Sequence, residues 1–485
     1  MTDSRNPLLY QLNTRVYLRE LSTHLGRAAT LDDVPDELLD WLAAQGFDWL
    51  YLLGVWQTGL AALHMSLTHP GLNEEYRHSL PDFRTEDVCG SCFAITGYSV
   101  HNALGGAEAL QRLRRRLAQR NIRLMLDFIS NHTAPDHPWV QTHPEYYIQG
   151  HPLDLESQPL NYTQIESRGR SRVFAYGRDP YFPGWADTLQ LDYSNPQTVA
   201  AMQTELLRAA AHCDGLRCDM AMLVLPDVFE RTWGRPAHPF WPAAIRQVKA
   251  AFPGFVFMAE VYWDLEAALL DVGFDYTYDK RLYDYLRDGQ VQAARTHLRA
   301  EPAYLEHMVH FLENHDEQRA ASVFTPEMHR AAAVATFFVP GMRFFHQGQL
   351  EGRKVRISVH LQRGPHEPVD PELNAFYQEL LAALRQPIFT AGAWQLLKSV
   401  DAATGLPHPA LLAYGWSRSG GEQAVVVVNY TPQPSRGLVQ LPWRASGTWL
   451  PTVTVGGPAV TALPVGNQLE VDLPPWGAWV AAHTA

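Results

Sequence analysis

Short, nearly continuous apolar runs alternate along most of the chain with longer segments in which apolar residues recur every three or four positions. The runs at 8–12, 49–55, 122–128, 215–219, 255–261, 274–278, 308–313 and 341–346 read as strands. Strands that are apolar on both faces belong in a parallel sheet covered by helices. Segments such as 35–45 and 106–119 carry the helical period between them. Eight β/α units of this kind predict an α/β fold, a closed (β/α)8 TIM barrel. One interval breaks the rhythm, since 133–195 is rich in Pro, Gly, Tyr and polar residues and has no clear long helix. A loop that long without structure is improbable in a compact domain, so it predicts an inserted subdomain after the third strand, over the barrel mouth. Beyond Pro387, short strands at 411–416, 424–429, 437–441, 469–473 and 478–482 are punctuated by Pro and Gly and predict a C-terminal antiparallel β-sandwich. The expected domains are a barrel formed by 1–132 and 196–386, the insertion 133–195, and the sandwich 387–485.

Composition narrows the partners more than the fold. With 485 residues, 46% hydrophobic and 19% charged, disordered, collagen-like and coiled-coil classes are excluded. The net charge of −12 repels phosphate backbones and anionic membrane surfaces, so neither nucleic acid nor membrane is an expected partner. The first residues lack a basic stretch followed by an apolar one, and no run of about 18 apolar residues occurs. A soluble, cytoplasmic monomer or small homo-oligomer is expected. Cys89 and Cys92 have the spacing of a redox or zinc pair, but Cys213 and Cys218 are spaced differently and bring no His, so no bound metal is expected there. The basic run from Arg112 to Arg120 follows Leu110, Leu113 and Leu117 at helical spacing and reads as a solvated helix face.

Candidate chemistry lies at the strand ends. In a parallel barrel the C-terminal ends of all strands face one mouth. The run IRLMLDF carries Asp127, with Asn131 and His132 just beyond; GLRCD carries Arg217 and Asp219; FVFMAE ends in Glu260; HFLENHD ends in Asn314, His315 and Asp316. A lone carboxylate would read as an ion pair tying strand to loop. Several at one mouth are costly to bury unless paired, and a catalytic centre is the usual reason to keep them. Glycoside cleavage needs a protonated acid for the leaving oxygen and an ionised carboxylate at the anomeric carbon. Arg217, two residues from Asp219 on the same strand face, favours an ionised Asp219. Glu260 closes an apolar strand, where desolvation raises a carboxyl pKa, as an acid catalyst requires. His132 and His315 as donors, and Asp316 as an acceptor, suit a sugar ring.

Together these segments resemble the four signature regions of glycoside hydrolase family 13, the α-amylase family. Tyr10-Gln11 is similar to the family's first strand, Gly97-Tyr98 to its aromatic platform before the third strand, and the run from Leu189 to Asp192 to the short signature of its inserted domain. The resemblance spans essentially the whole chain. It implies a retaining double displacement with Asp219 as nucleophile, Glu260 as acid and then base, and Asp316 as transition-state stabiliser. It also implies that Arg217 orients the nucleophile, that Tyr98, His132 and His315 line the sugar pocket, and that Asp127 and Asn314 belong to the substrate-binding set. NHTAPDHPW, Tyr146-Tyr147 and LQLDYSNP are similar to the branch of α-glucosidases, oligo-1,6-glucosidases and amylosucrases, although Asp192 replaces that branch's usual Asn. Met222 and Leu223 stand where many α-amylases have Lys-His, which removes a backbone contribution to the family's calcium site, of which Asn131 remains. No cofactor is expected to be required, and a structural calcium is left open. Trp263, beyond Glu260, is the expected stacking platform on the leaving side, with Trp56 and Trp185 as further ones. Glu351 and Arg353, after the eighth strand, are expected at the far hydroxyls. The implied substrate is an α-glucan, a malto-oligosaccharide or a related α-glucoside, cleaved by water. Transglycosylation or phosphorolysis would use the same intermediate, and a non-catalytic binding relative would be expected to lack the nucleophile or the acid.

Overall fold

A computed structural model describes residues 6–444, 449–457 and 461–483. Eight parallel strands close a barrel: Leu8–Asn13, Trp49–Leu53, Arg123–Ile129, Gly215–Asp219, Val256–Ala259, Tyr276–Tyr278, Met308–His310 and Met342–His346. Their order in space is their order in sequence, and the first closes onto the eighth with Leu8 opposite Arg343 and Gln11 opposite His346. Every predicted barrel run is therefore a barrel strand. Trp49–Leu53 and Gly215–Asp219 are buried at every position, the pattern of strands walled by side chains inside and helices outside. The helix Gly106–Ala118 shows how the outer layer docks: Ala109, Leu110, Leu113 and Leu117 are buried on one stripe.

The basic face of that helix is more structured than expected. Arg112, Arg116 and Arg120 meet Asp32, Asp36 and Asp40 at 2.7, 2.9 and 2.5 Å, because both sets repeat every four residues on facing elements. Such exposed pairs contribute about 0–1 kcal/mol each and set alignment more than stability. The four cysteines are free thiols, and Cys218 is buried behind the fourth strand as a packing residue.

After the third barrel strand the chain builds a small antiparallel sheet from Gln149–Gly150, Tyr162–Ser167 and Arg170–Ala175. It returns through Leu189–Gln190, which pairs antiparallel with His132–Thr133. Toward the C-terminus, sheets of five and four antiparallel strands enclose an apolar layer that includes Leu411, Val425, Val427, Val471 and Leu473. Each predicted strand there is found. Ala393–Leu396, Ser399–Asp401, Leu450–Val455 and Thr461–Val465 lie outside the predicted set; the last two each contain a proline and lie at a sheet edge, where a missing N–H is tolerated.

Candidate active site

The fourth and fifth barrel strands run in register, Cys218 opposite Ala259, so the residues that follow face each other across one strand spacing. Asp219 and Glu260 occupy those positions and are 5% and 3% exposed. Between them lies Arg217, which is fully buried. Its Nη1 is 2.8 Å from Asp219 Oδ1, its Nη2 2.7 Å from Glu260 Oε2, and Asp127 Oδ1 stands 3.8 Å away. The guanidinium is backed by the rings of Phe93 and Tyr278. Met220, directly after Asp219, adopts φ +41°, a left-handed conformation that costs a non-glycine residue about 1–2 kcal/mol. The turn aims its N–H at Glu260 Oε2, 2.8 Å away, and strain held in this way is characteristic of functional sites. The Tyr262 hydroxyl donates to the other oxygen, Oε1, at 2.9 Å.

Burial pushes both carboxyls above their ordinary range. Arg217 opposes the shift at each, while Asp316 reinforces it, and the effect is greater at Glu260 than at Asp219. Asp316 is the open member of the trio, its side chain 43% exposed, with Oδ2 3.1 Å from His315 Nε2. Burial pulls His315 down to about 4 and His132 down to about 3, so both are neutral at pH 7. Gln11, buried at the end of the first strand, places its Nε2 3.0 Å from His315 Nδ1; with the amide donating there, the imidazole proton lies on Nε2, facing Asp316. His132 packs beside Trp185 at 5.4 Å between ring centroids, with its Nδ1 3.5 Å from the side-chain nitrogen of Asn131.

Several expected contacts fall elsewhere. Tyr98 does not line the pocket: its hydroxyl both donates to Ile129 O and accepts from Ile129 N, and its ring stacks on Phe128 behind the third strand. The ring at the pocket is Phe93, 5.4 Å from His315 and 5.3 Å from the Arg217 guanidinium carbon. Asp127 lies beneath the site, with Oδ1 accepting from the Tyr51 hydroxyl and Oδ2 from Gly54 N–H. Asn314 commits its Oδ1 to the N–H groups of Asp316 and Glu317, shaping the turn that presents Asp316. Trp56 is a core ring whose Nε1 donates to Asp127 O. Arg353 turns to Glu20 at 3.3 Å, on the first helix, and Glu351 Oε2 is buried. Trp263 meets Tyr181 of the inserted segment in a T-shaped ring contact at 4.9 Å between centroids.

Phe93 and Tyr262 escaped the sequence reading, and Gln11, noted there only within the first-strand resemblance, had no role assigned. Gln11 carried a signal, a polar residue inside the apolar run LLYQL, whereas Phe93 and Tyr262 sit in connections without a period to orient them.

The Alpha amylase, catalytic domain family matches residues 93–359. "Alpha-amylase MalA" of Haloarcula japonica is 24% identical over 458 residues, 92% of this chain and 58% of that protein. "Alpha-1,4-glucan:maltose-1-phosphate maltosyltransferase" of Rhodospirillum rubrum is 25% identical over 263 residues, 54% of this chain and 33% of that one. The chain thus spans little more than half the length of the first of these relatives and about a third of the second. Among solved structures, the noncanonic maltogenic alpha-amylase AmyB from Thermotoga neapolitana superimposes with a TM-score of 0.70 at 17% identity, covering 99% of both chains, which is a likeness of fold.

Proposed function

Because this chain belongs to the α-amylase family, we propose that it is a glycoside hydrolase, cytoplasmic and monomeric or a small homo-oligomer, that cleaves α-glucosidic bonds of malto-oligosaccharides or related α-glucosides with retention of anomeric configuration. The observation that carries this reading is the single buried guanidinium of Arg217 holding Asp219 and Glu260 at adjoining strand ends. Neighbouring strands lie about 4.8 Å apart. Retaining glycosidases keep their carboxyls about 5–5.5 Å apart, against about 6.5–9.5 Å for inverting ones.

The hydrogen bonds divide the labour. Glu260 Oε2 faces the guanidinium and the Met220 N–H, both donors only, so the catalytic proton resides on Oε1 beside Tyr262. From there it passes to the glycosidic oxygen as the C–O bond breaks. Arg217 engages Asp219 Oδ1, leaving Oδ2 to attack the anomeric carbon and form a glycosyl ester. The Glu260 carboxylate then takes a proton from water as the water oxygen displaces Asp219, which returns both groups to their starting states. Asp316 and His315 hold ring hydroxyls as positive charge develops, and Phe93 packs against the sugar face.

Two experiments test this. Incubation with maltoheptaose, isomaltose and sucrose, with and without phosphate, should release products that NMR finds first as α-anomers; β-anomers would overturn the mechanism. The pH profile of kcat/KM should be bell-shaped with both limbs above the ordinary carboxylate range. Activity falls with decreasing pH as Asp219 takes a proton, and with increasing pH as Glu260 loses one, both pKa values being raised by burial. The Tyr262 hydroxyl favours the ionised Glu260, so Tyr262→Phe should move the alkaline limb up by about one pH unit and leave the acid limb in place. An unmoved alkaline limb would remove Tyr262 from the proton path.

One observation favours a second reading, transfer to a sugar hydroxyl or phosphate. Tyr181 and Phe182 are 58% and 67% exposed along a groove of about 430 Å³ on the inserted segment, and Tyr181 touches Trp263. Exposed rings there suit an acceptor sugar. Products longer than the substrate, or sugar phosphates, would mark that outcome.

A further inference from the structure

The inserted segment leaves and rejoins the barrel at one place, where Ser130 to Thr133 run against Leu189 to Tyr193. Backbone bonds hold part of this seam, with Leu191 N–H donating to Asn131 O at 3.1 Å and the Tyr193 hydroxyl to Ser130 O at 2.6 Å. The side chain of Gln190, fully buried, does something else. Its amide nitrogen sits among three oxygens, 2.9 Å from Asn131 Oδ1 and 3.1 Å from both Asn131 O and Leu191 O. Three acceptors around one atom fix the orientation of the amide, because the carbonyl end would meet only like-charged oxygens.

Asn131 is the residue that the family resemblance retains for a structural calcium. Calcium binds six to eight oxygen ligands at about 2.3–2.6 Å, with carboxylates supplying much of the affinity. Here the Asn131 oxygens already accept from N–H groups. The neighbouring carboxylate, Asp192, is also committed: Oδ1 accepts from the backbone and hydroxyl of Ser194, and Oδ2 lies 3.1 Å from Arg235. Among the described residues no group of three His, Cys, Asp or Glu side chains gathers to hold a metal. Gln190 Oε1 and Ser130 Oγ are the buried seam oxygens without a hydrogen-bond partner among the described residues, and two neutral oxygens with no free carboxylate do not fit calcium.

We propose that the Gln190 amide takes the calcium's place, its two partially positive hydrogens satisfying the oxygens that a cation would otherwise draw together. The seam is then clamped without metal, and with it His132, the ladder partner of Gln190. Thermal unfolding of the full chain in EDTA and in calcium chloride tests this. The wild type should unfold at the same midpoint in both, and calcium titrated into it should give no binding heat. Gln190→Ala, which strands Asn131 Oδ1 and Leu191 O and leaves Asn131 O to the Leu191 N–H alone, should unfold about 2–4 °C lower in both media. Gln190→Asp replaces the donor with a carboxylate facing two Asn131 oxygens, so it should unfold early in EDTA and recover in calcium. A wild-type midpoint that rises in calcium or falls in EDTA, a Gln190→Ala midpoint equal to wild type, or a Gln190→Asp protein indifferent to calcium would each overturn the proposal. If Gln190→Asp does not fold, the wild-type melts and titration decide alone.

Discussion

Asp219→Asn is expected to lower turnover by at least about four orders of magnitude, or about 5 kcal/mol of barrier, while leaving the protein as stable as before or more so. The amide keeps the size of the carboxyl and can still accept from Arg217 through its oxygen, so the packing around the site is preserved. It cannot supply the anionic oxygen that attacks the anomeric carbon. The stability half follows from linkage. Burial raises the folded pKa of Asp219 above its unfolded value, so its ionised form is disfavoured by folding, and stability is lost as pH rises between those two values. A neutral amide escapes that loss at pH 7. Single-turnover kinetics and a calorimetric melt check both halves. Wild-type activity in the variant would refute the nucleophile, and a large fall in midpoint would show that the charge is structural instead.

Arg217→Lys should be nearly as damaging by a different route. One guanidinium fork reaches two carboxylates and stacks between two rings, whereas an ammonium is a point charge that can sit against only one carboxylate at a time. Whichever carboxylate is abandoned remains buried without its partner, a defect that costs about 3–5 kcal/mol in comparable sites. The expected result is a kcat about 10²–10³-fold lower, a lower melting midpoint, and an acid limb displaced upward, since Arg217 holds the Asp219 pKa down against burial. A variant that loses kcat with its acid limb unmoved would show that Arg217 only fills space.

Gln11, Met220, Asn314 and Gln190 share a feature that explains why a linear reading does not find their roles, Asn314 having been expected at the substrate instead. Each acts on a residue named in advance, orienting His315, engaging Glu260, presenting Asp316 or tying down Asn131. Asp127 belongs with them, since its oxygens are spent on Tyr51 and Gly54 and it supports the site from below. The exchange of Tyr98 for Phe93 has a related cause. Tyr98 lies on Ile95–Val100, a strand that pairs with Trp56–Thr58 outside the barrel, so the inward and outward alternation of the barrel says nothing about where its ring points.

By itself the sequence determined the barrel, the inserted segment, the terminal sheets and the positions of Asp219, Glu260 and Asp316. All of these depend on local regularities: strand runs have a length and an apolar pattern, and a charged residue ending such a run must emerge at the mouth. Only the tertiary structure decided which aromatic ring stands beside Arg217, which donors meet each oxygen of Glu260, and which oxygens surround the Gln190 amide. Those outcomes depend on distances between segments far apart in the chain, such as Gln11 and His315, separated by 304 positions. No period in the sequence encodes such a distance; it is set when the barrel closes and brings the strand ends together.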